Sequence, residues 1–494
     1  MLPPLLQALE NRAREHPEKP AILAGAQTIS RAELVLKIRQ AAGILKRRGV
    51  EKGDRVILSA TNSPSFVYAY AGAHLLGAVA VPLDPQTTQG RLKFIADQVE
   101  PKALFLGGSS GAEPSAAESI GVFLEETDGP EPIPPSTVTG QDLADILFTT
   151  GTTGQPKGVM LSHRNILAAA QNINAFIGNT SGDSELLPLP LSHSFGLGRL
   201  RCNLLAGGTL ILADGLSDLR TLFRLFRQWR PTGFASVPAG FAILLRLAGD
   251  QLAEFAGHLR YIEIGSAPMP REQKLRLAKL LPQTRICMHY GLTEASRSTF
   301  VEFHQDLHKL DSIGRPSPNV SIRLAGSDGL EVPTGDPGEI HIQGGMVTAG
   351  YWRNPGLTAS TLADGWFRTG DVATRDPDGY LHLQGRESEL INTGGRKVSP
   401  IEIEEVLRTH PALEDCACAG APDPDGIAGQ VAVAYLVGRA NTPRPADPAL
   451  RTFFEGKLEP YKFPRSFVWV PVIPRTSSGK IQRAQLGPAG RAAA

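Results

Sequence analysis

The segment from Thr149 to Gly158 reads TTGTTGQPKG, and its residue types suit a polyphosphate cradle. Gly151, Gly154 and Gly158 let backbone amides approach a ligand closely, Thr149, Thr150, Thr152 and Thr153 carry donor hydroxyls, and Lys157 adds a positive charge. The pattern is near Walker A without matching it. Pro156 stands where the glycine before the lysine belongs, and Gly158 replaces the magnesium-binding Ser or Thr. An ordinary P-loop ATPase is therefore disfavoured, and a metal accompanying the phosphates needs a carboxylate from elsewhere in the chain.

The elements that must position this loop are legible as alternating helices and strands. Leu34, Ile38, Ala41 and Leu45 recur at helical spacing before the stop signal KRRG at Gly49; a strand follows at Arg55 to Ala60, a helix at Pro64 to Ala78 and a strand at Val79 to Leu83. That βαβ unit predicts a largely parallel sheet. Ala144 to Thr149 reads as a buried strand leading into the loop, and Ser162 as the cap of a helix beginning near Arg164. The Gly-, Ser- and Pro-rich stretch between Gly107 and Gln141 reads as a surface excursion. Alternation continues to about Thr293; from Ser312 to Leu383 short strands with the turns SDG, GDPG and DPDG predict a small antiparallel barrel or sheet. Helix and strand return after Gly385, with Pro400 to Thr409 helical. The expected organisation is an α/β chain with an N-terminal domain at 1–384 (two βα lobes plus the antiparallel unit), a hinge at 385–388 and a mobile α+β C-terminal domain at 389–494.

Composition narrows the partners. A chain of 494 residues needs at least two cores, and 41% hydrophobic with 20% charged residues is the balance of an ordinary globular protein. Fifty basic residues against forty-nine acidic ones remove the field expected of a nucleic-acid or membrane-surface binder. No signal peptide and no membrane span are read, and the four cysteines include no CxxC pair, so a reducing cytoplasm is expected. Cys416 and Cys418, two residues apart in an apolar stretch, read as buried structural thiols on one strand face.

TTGTTGQPKG followed by LSHRN resembles the signature of the acyl-adenylate-forming superfamily of acyl- and aryl-CoA synthetases, peptide-synthetase adenylation domains and firefly luciferases. Four further motifs follow in that family's order: YGLTEAS at 290–296, GWFRTGD at 365–371, GRESELINTGGRKVSPIEIE at 385–404 and PRTSSGKIQR at 474–483. The likeness spans nearly the whole chain and is most marked to the acyl- and aryl-CoA ligases.

The resemblance implies a role for each motif. Lys480 would bridge the acid's carboxylate and the α-phosphate, where two anions must approach and further charge develops. Asp371 would accept from both ribose hydroxyls, a role suited to a group that has only acceptors. Tyr290 and Gly291 would pack at the adenine, with Gly265, Ser266, Ala267 and Pro268 forming the other wall. Thr293 would contact the α-phosphate, and Glu294 would supply the carboxylate for Mg2+, which commonly takes one or two carboxylates beside phosphates. Arg386 would lie near ribose and phosphate at the hinge, where Ser388 replaces the usual Asp or Lys. Gly395 would line the tunnel for the thiol of CoA, and His193 would gate the acid pocket, whose size would depend on Phe195, Gly196, Val237, Gly240, Phe241 and Met288.

Around His193 the segment LPLSHSFGLG lacks the aspartate with which amino-acid-activating domains hold an α-ammonium, so a plain acyl or aryl acid is expected. The activity implied is that of an AMP-forming acid–thiol ligase using ATP, Mg2+ and CoA. Rival readings keep the adenylation but pass the acyl group to a separate carrier protein or a nitrogen nucleophile, or reduce the chain to a silent nucleotide-binding protein. Luciferase-like oxidation has no supporting residue.

Overall fold

The computed structural model describes residues 2–107, 118–119, 137–150, 156–216, 218–393, 396–425, 429–476 and 479–486. Within them, the N-terminal part is built on two large sheets. One runs in the order Gly350–Tyr351, Pro156–Ser162, Leu143–Thr150, Val79–Leu83, Arg55–Ser59, Ala103–Leu106 and Glu118–Ser119. The other has Pro20–Ala24, Thr209–Leu212, Ser184–Leu187, Gly233–Ser236, Tyr261–Ile264 and Arg285–Tyr290 side by side in parallel, with antiparallel strands at both edges. The parallel interior follows from the helices that cross between strands and bury its faces.

Local chemistry starts and stops these helices where the sequence indicates. Ser63 caps Pro64–Leu76 by accepting from Phe66 N–H, Pro64 occupies the first turn where its missing donor costs nothing, and Gly77 ends the helix at φ 79°. Ser162 does the same for His163–Ile177, and Asn165 completes a reciprocal capping box. The strand leading into the TTG loop is not followed directly by a helix. Leu143–Thr150 turns back as an antiparallel hairpin with Pro156–Ser162, pairing Thr149 with Lys157, and the helix starts only after that second strand.

The helix Ser194–Ala206 packs against the inward face of the second sheet. Its residues Phe195, Leu197, Leu200, Cys202 and Leu204 share one buried cluster with Leu187, Tyr261, Cys287 and the apolar face of the first sheet. The opposite face of the second sheet, with Ile262, Ile264 and Phe234, is covered by the helices Leu219–Trp229, Pro238–Leu247 and Arg271–Leu280.

Val320–Ala325, Gly338–Gly344, Trp366–Arg375 and Leu381–Arg386 form the expected antiparallel unit around a small core of its own. The last of these strands ends at Arg386, and a single 3-10 turn, Glu387–Glu389, leads to the next strand, Ile391–Thr393. Beyond it, a separate apolar cluster forms on the sheet Leu413–Pro422, Gln430–Gly438 and Ser466–Trp469. Cys416 and Cys418 lie in that cluster with Ala417 on the other face, as two-residue spacing on a strand requires.

Candidate active site

A cleft is assembled from strand ends and from a turn near the C-terminus. Trp366–Arg375 and Leu381–Arg386 pair Asp371 directly opposite Arg386, so the carboxylate and the guanidinium are cross-strand neighbours and meet at 3.0 Å. Asp371 sits after Gly370, whose φ of 71° turns the strand. The Thr369 hydroxyl accepts from Asp371 N–H at 3.0 Å and fixes that bend. The other carboxylate oxygen of Asp371 accepts from the Tyr290 hydroxyl at 2.6 Å. Burial first, and then the charge of Asp371, pushes the Tyr290 phenol well above its ordinary pKa, so the group is a donor at any physiological pH. Each oxygen of Asp371 keeps a second lone pair for an incoming donor.

Glu294 stands in the turn that follows Tyr290. Its Oε1 accepts from the Tyr351 hydroxyl at 2.9 Å and its backbone carbonyl accepts from Thr348 N–H at 2.8 Å. The second carboxylate oxygen is thus oriented by the first. Among the described residues there is no cluster of three or more metal-ligating side chains. A lone, fixed carboxylate fits an ion held chiefly by phosphate oxygens and water, as Mg2+ is. Thr293 Oγ1 lies 3.4 Å from Ser194 Oγ, at the N-terminus of Ser194–Ala206, which no side chain caps.

Lys480 comes to this cleft from the other side. Its turn is closed by hydrogen bonds between Thr476 and Lys480 in both directions, and Gly479 adopts φ 86°. A methyl group added at Gly479 would touch Ala267 and Ala239, which seats the turn against both the wall that follows Tyr261–Ile264 and the start of Pro238–Leu247. Lys480 is itself exposed to solvent. Desolvation and then the neighbouring Arg386 lower its pKa, against the opposing pull of Asp371, Glu294 and Glu389. Residues far apart in the chain thereby share one electrostatic site. Ser266, in the wall facing the turn, holds φ 78°, a conformation that L side chains rarely adopt and that marks a constrained position.

His193 precedes Ser194–Ala206, with Nε2 3.4 Å from Asp84 Oδ2. That hydrogen bond is the foremost cause of the lowered Asp84 pKa. Asp84 directly follows the strand Val79–Leu83 of the first sheet, so the pair links the first sheet to the start of Ser194–Ala206.

The residues expected to shape the acid pocket separate into two groups. Phe195 is buried on the inward face, its ring edge-on to His289 at 4.8 Å. Val237 packs at the edge of the same cluster. Phe241, by contrast, is fully buried against Phe234 in the outer core, and Met288 packs toward that core too, because strand alternation points it away from Cys287 and His289. Gly196 and Gly240 serve close packing: a side chain on the first would collide with the Pro190 carbonyl, and on the second with Leu216 and Ser236. Gly291 is likewise required by a tight turn, since a Cβ there would meet Arg297 N at 2.5 Å. Lys157 and Gly158 lie on the second strand of the loop hairpin. Gly151, Thr152, Thr153, Gly154 and Gly395, and the Thr150 side chain, lie outside what is described.

Three charged residues and a histidine beneath the cleft went unnoticed in the sequence. Glu263 is fully buried between Arg199 Nη1 at 3.0 Å and Arg297 Nε at 3.0 Å, with His289 Nδ1 at 2.8 Å. Although burial alone would raise it, Arg297 and Arg199 hold the Glu263 carboxyl well below the usual carboxylate range. The only hint available was the acidic and basic residues interrupting otherwise apolar strand and helix patterns.

The AMP-binding enzyme family matches residues 9–352, and the C-terminal domain of AMP-binding enzymes matches residues 402–480. The chain belongs to the AMP-binding enzyme family. A feruloyl-CoA synthase of an Amycolatopsis species is 33% identical over 483 residues, covering 96% of each chain. Among solved structures, the o-succinylbenzoate CoA synthetase of Bacillus subtilis in complex with its acyl-adenylate intermediate superposes with a TM-score of 0.88 at 27% identity, over 97% of both chains. ATP-bound MatB from Rhodopseudomonas palustris superposes with a TM-score of 0.90 at 29% identity, over 100% of this chain and 99% of the other.

Proposed function

We propose that the cleft residues divide between them the work of an AMP-forming acid–thiol ligase. The protein activates a carboxylic acid with ATP, releasing pyrophosphate, and then passes the acyl group to CoA with release of AMP. The observation that supports the assignment of residues is the cross-strand pair of Asp371 and Arg386 with the Tyr290 hydroxyl on the other carboxylate oxygen, with Lys480 coupled electrostatically to the same charges.

In the first half-reaction the acid's carboxylate attacks the α-phosphate. Asp371 accepts from the ribose hydroxyls and Tyr290 packs beside the base while holding Asp371. Lys480, with Thr293 and the uncapped N-terminus of Ser194–Ala206, meets the charge that builds as the two anions join. Glu294 would be the residue to hold Mg2+, and the ion would offset phosphate charge. His193, braced by Asp84, stands where the acid enters. None of these groups forms a covalent bond to substrate, so catalysis is positioning and charge stabilisation.

For the second half-reaction, the turn Glu387–Glu389 is the place where the C-terminal unit pivots so that a thiol replaces Lys480 at the adenylate. Ser388 lies in that turn. The site works in the cytoplasm. All four cysteines are free and buried, as suits a reducing compartment, and among the described residues no helix is long and apolar enough to cross a membrane.

Pyrophosphate exchange across aliphatic, aryl and amino acids, followed by CoA dependence on the best acid, tests this reading. Exchange with an acyl or aryl acid and CoA-dependent release of AMP is the expected result. Exchange without thioester formation would favour a carrier protein or an amine as acceptor, and no exchange with any acid would overturn the adenylation itself.

A further inference from the structure

Lys480 is carried on a short hairpin, and both arms of it are pinned to one strand of the C-terminal unit. Arg475 and Ile481 pair across the hairpin. Arg475 Nη2 meets the two Asp415 carboxylate oxygens at 2.8 and 3.0 Å, and Arg483, three residues after Lys480, donates from Nε to the Cys418 carbonyl at 3.0 Å. Asp415 and Cys418 both belong to Leu413–Pro422. The hairpin is therefore seated on its own sheet independently of the cleft.

Arg483 reaches beyond that sheet. Its planar guanidinium carries donors in three directions: besides Nε, Nη2 donates to Glu404 Oε1 at 2.6 Å and Nη1 to Glu389 Oε2 at 2.9 Å. Glu404 is buried on the helix Pro400–Arg408, and its carboxylate also accepts from Cys418 N–H at 2.9 Å and from Arg408 at 3.1 Å. Glu389 is the last residue of the turn Glu387–Glu389. One side chain thus joins the end of that turn to the sheet that seats the Lys480 hairpin. On the other side of the turn, Arg386 is held by Asp371 at 3.0 Å. Glu387 and Ser388 stand between an anchor in the antiparallel unit and an anchor in the C-terminal unit.

Resting on the reading of Lys480 as the cation of the first half-reaction and of this turn as the pivot, we propose that Arg483 is a positioning residue that acts through Lys480. By clamping Glu389 it makes the end of the turn, the helix Pro400–Arg408 and the lysine's hairpin one rigid piece, so that the orientation set at the pivot fixes where the ammonium arrives. A long side chain meets transition-state charge only if its backbone is well placed, and an error of about 1 Å can cost about a hundredfold in rate. The residue types suit the task. The pair of Arg483 with Glu389 is partly shielded from solvent, and the guanidinium engages acceptors on a strand, a helix and a turn at once, a geometry that an ammonium cannot copy.

The test uses the full-length protein in single-turnover adenylation and in thioester formation from a supplied acyl-adenylate, with the acid that gives the strongest pyrophosphate exchange. Glu389→Ala opens only the turn's side of the clamp and leaves Glu404 paired. It is expected to slow adenylation by about tenfold, with KM for ATP in pyrophosphate exchange changed less than about twofold and no loss in thioester formation. Glu389→Gln, which keeps an acceptor for Arg483, should recover part of the rate. Arg483→Lys should lose as much as Glu389→Ala or more. In the Lys480→Ala background neither change should slow adenylation further, because the effects of residues that act through one group do not add. An undiminished loss in that background, equal loss in both half-reactions, or an adenylation rate untouched by Glu389→Ala would overturn the proposal and leave the role of Lys480 standing. Should Arg483→Lys fail to fold, the Glu389 variants decide alone. Adenylation untouched by Lys480→Ala would overturn both the proposal and the reading on which it rests.

Discussion

Tyr290 donates its hydroxyl hydrogen to Asp371 at 2.6 Å, while Arg386 holds the other carboxylate oxygen at 3.0 Å. The residue assigned to the base therefore also orients the residue assigned to the ribose. Tyr290→Phe keeps the ring and removes only this bond. The expected effect is a rise of about fivefold in KM for ATP with kcat little changed, the scale of one positioning hydrogen bond of about 1 kcal/mol. Asp371→Asn should cost tenfold or more, because it turns an acceptor into a donor facing the diol. Steady-state pyrophosphate exchange against ATP concentration separates the two.

The turn that carries Lys480 lies beside Ala267 and Ala239. Lys480→Ala should lower the adenylation rate by about a hundredfold or more, as expected for removal of a group that meets charge in the transition state. Thioester formation from a supplied acyl-adenylate should be largely preserved. Single-turnover measurements of each half-reaction check this, and equal loss in both would assign the lysine a structural role.

Much of this was legible before coordinates, and the reasons differ by residue. Asp371, Tyr290, Glu294 and Lys480 sit in short contiguous motifs, so the resemblance of those motifs to the family's marked them as candidates. Ser162 and Gly77 were readable because capping is decided within one turn. Glu263 and His289 were not, since their roles depend on strands and a helix brought together across the sheet. Phe241 and Met288 illustrate the same limit. One-dimensional proximity to site residues placed them in the acid pocket, whereas strand alternation and the covering helices turn them to the outer core.

The electrostatics of Lys480 set a pH dependence. Desolvation and Arg386 lower its pKa from the ordinary lysine value of 10.5. The catalytic form is the protonated one, so activity is lost as pH rises through the lowered pKa. The basic limb of kcat/KM, which reports the free enzyme, should fall at a pH below 10.5, and the limb of kcat should lie higher, since bound phosphates favour the cation. Pyrophosphate-exchange profiles from pH 7 to the alkaline limit measure both. Lys480→Arg should remove the limb, because a guanidinium stays charged throughout.

Glu263 makes the corresponding prediction for stability. Its carboxylate lies between Arg199 and Arg297, with no exposed surface. Glu263→Gln would leave two buried guanidinium groups short of a counter-charge, and breaking a buried pair in this way costs about 3–5 kcal/mol. The folded pKa of Glu263 is depressed, so its contribution is fully present above the unfolded carboxylate value of about 4.3 and is lost as pH falls through the folded value. The stability difference between the unaltered protein and Glu263→Gln should therefore be constant from pH 6 to 8 and shrink below about pH 4. Denaturant titrations at several pH values check the sign. A difference that grew on acidification would mean that Glu263 is protonated in the fold, and the network beneath His289 would have to be redrawn.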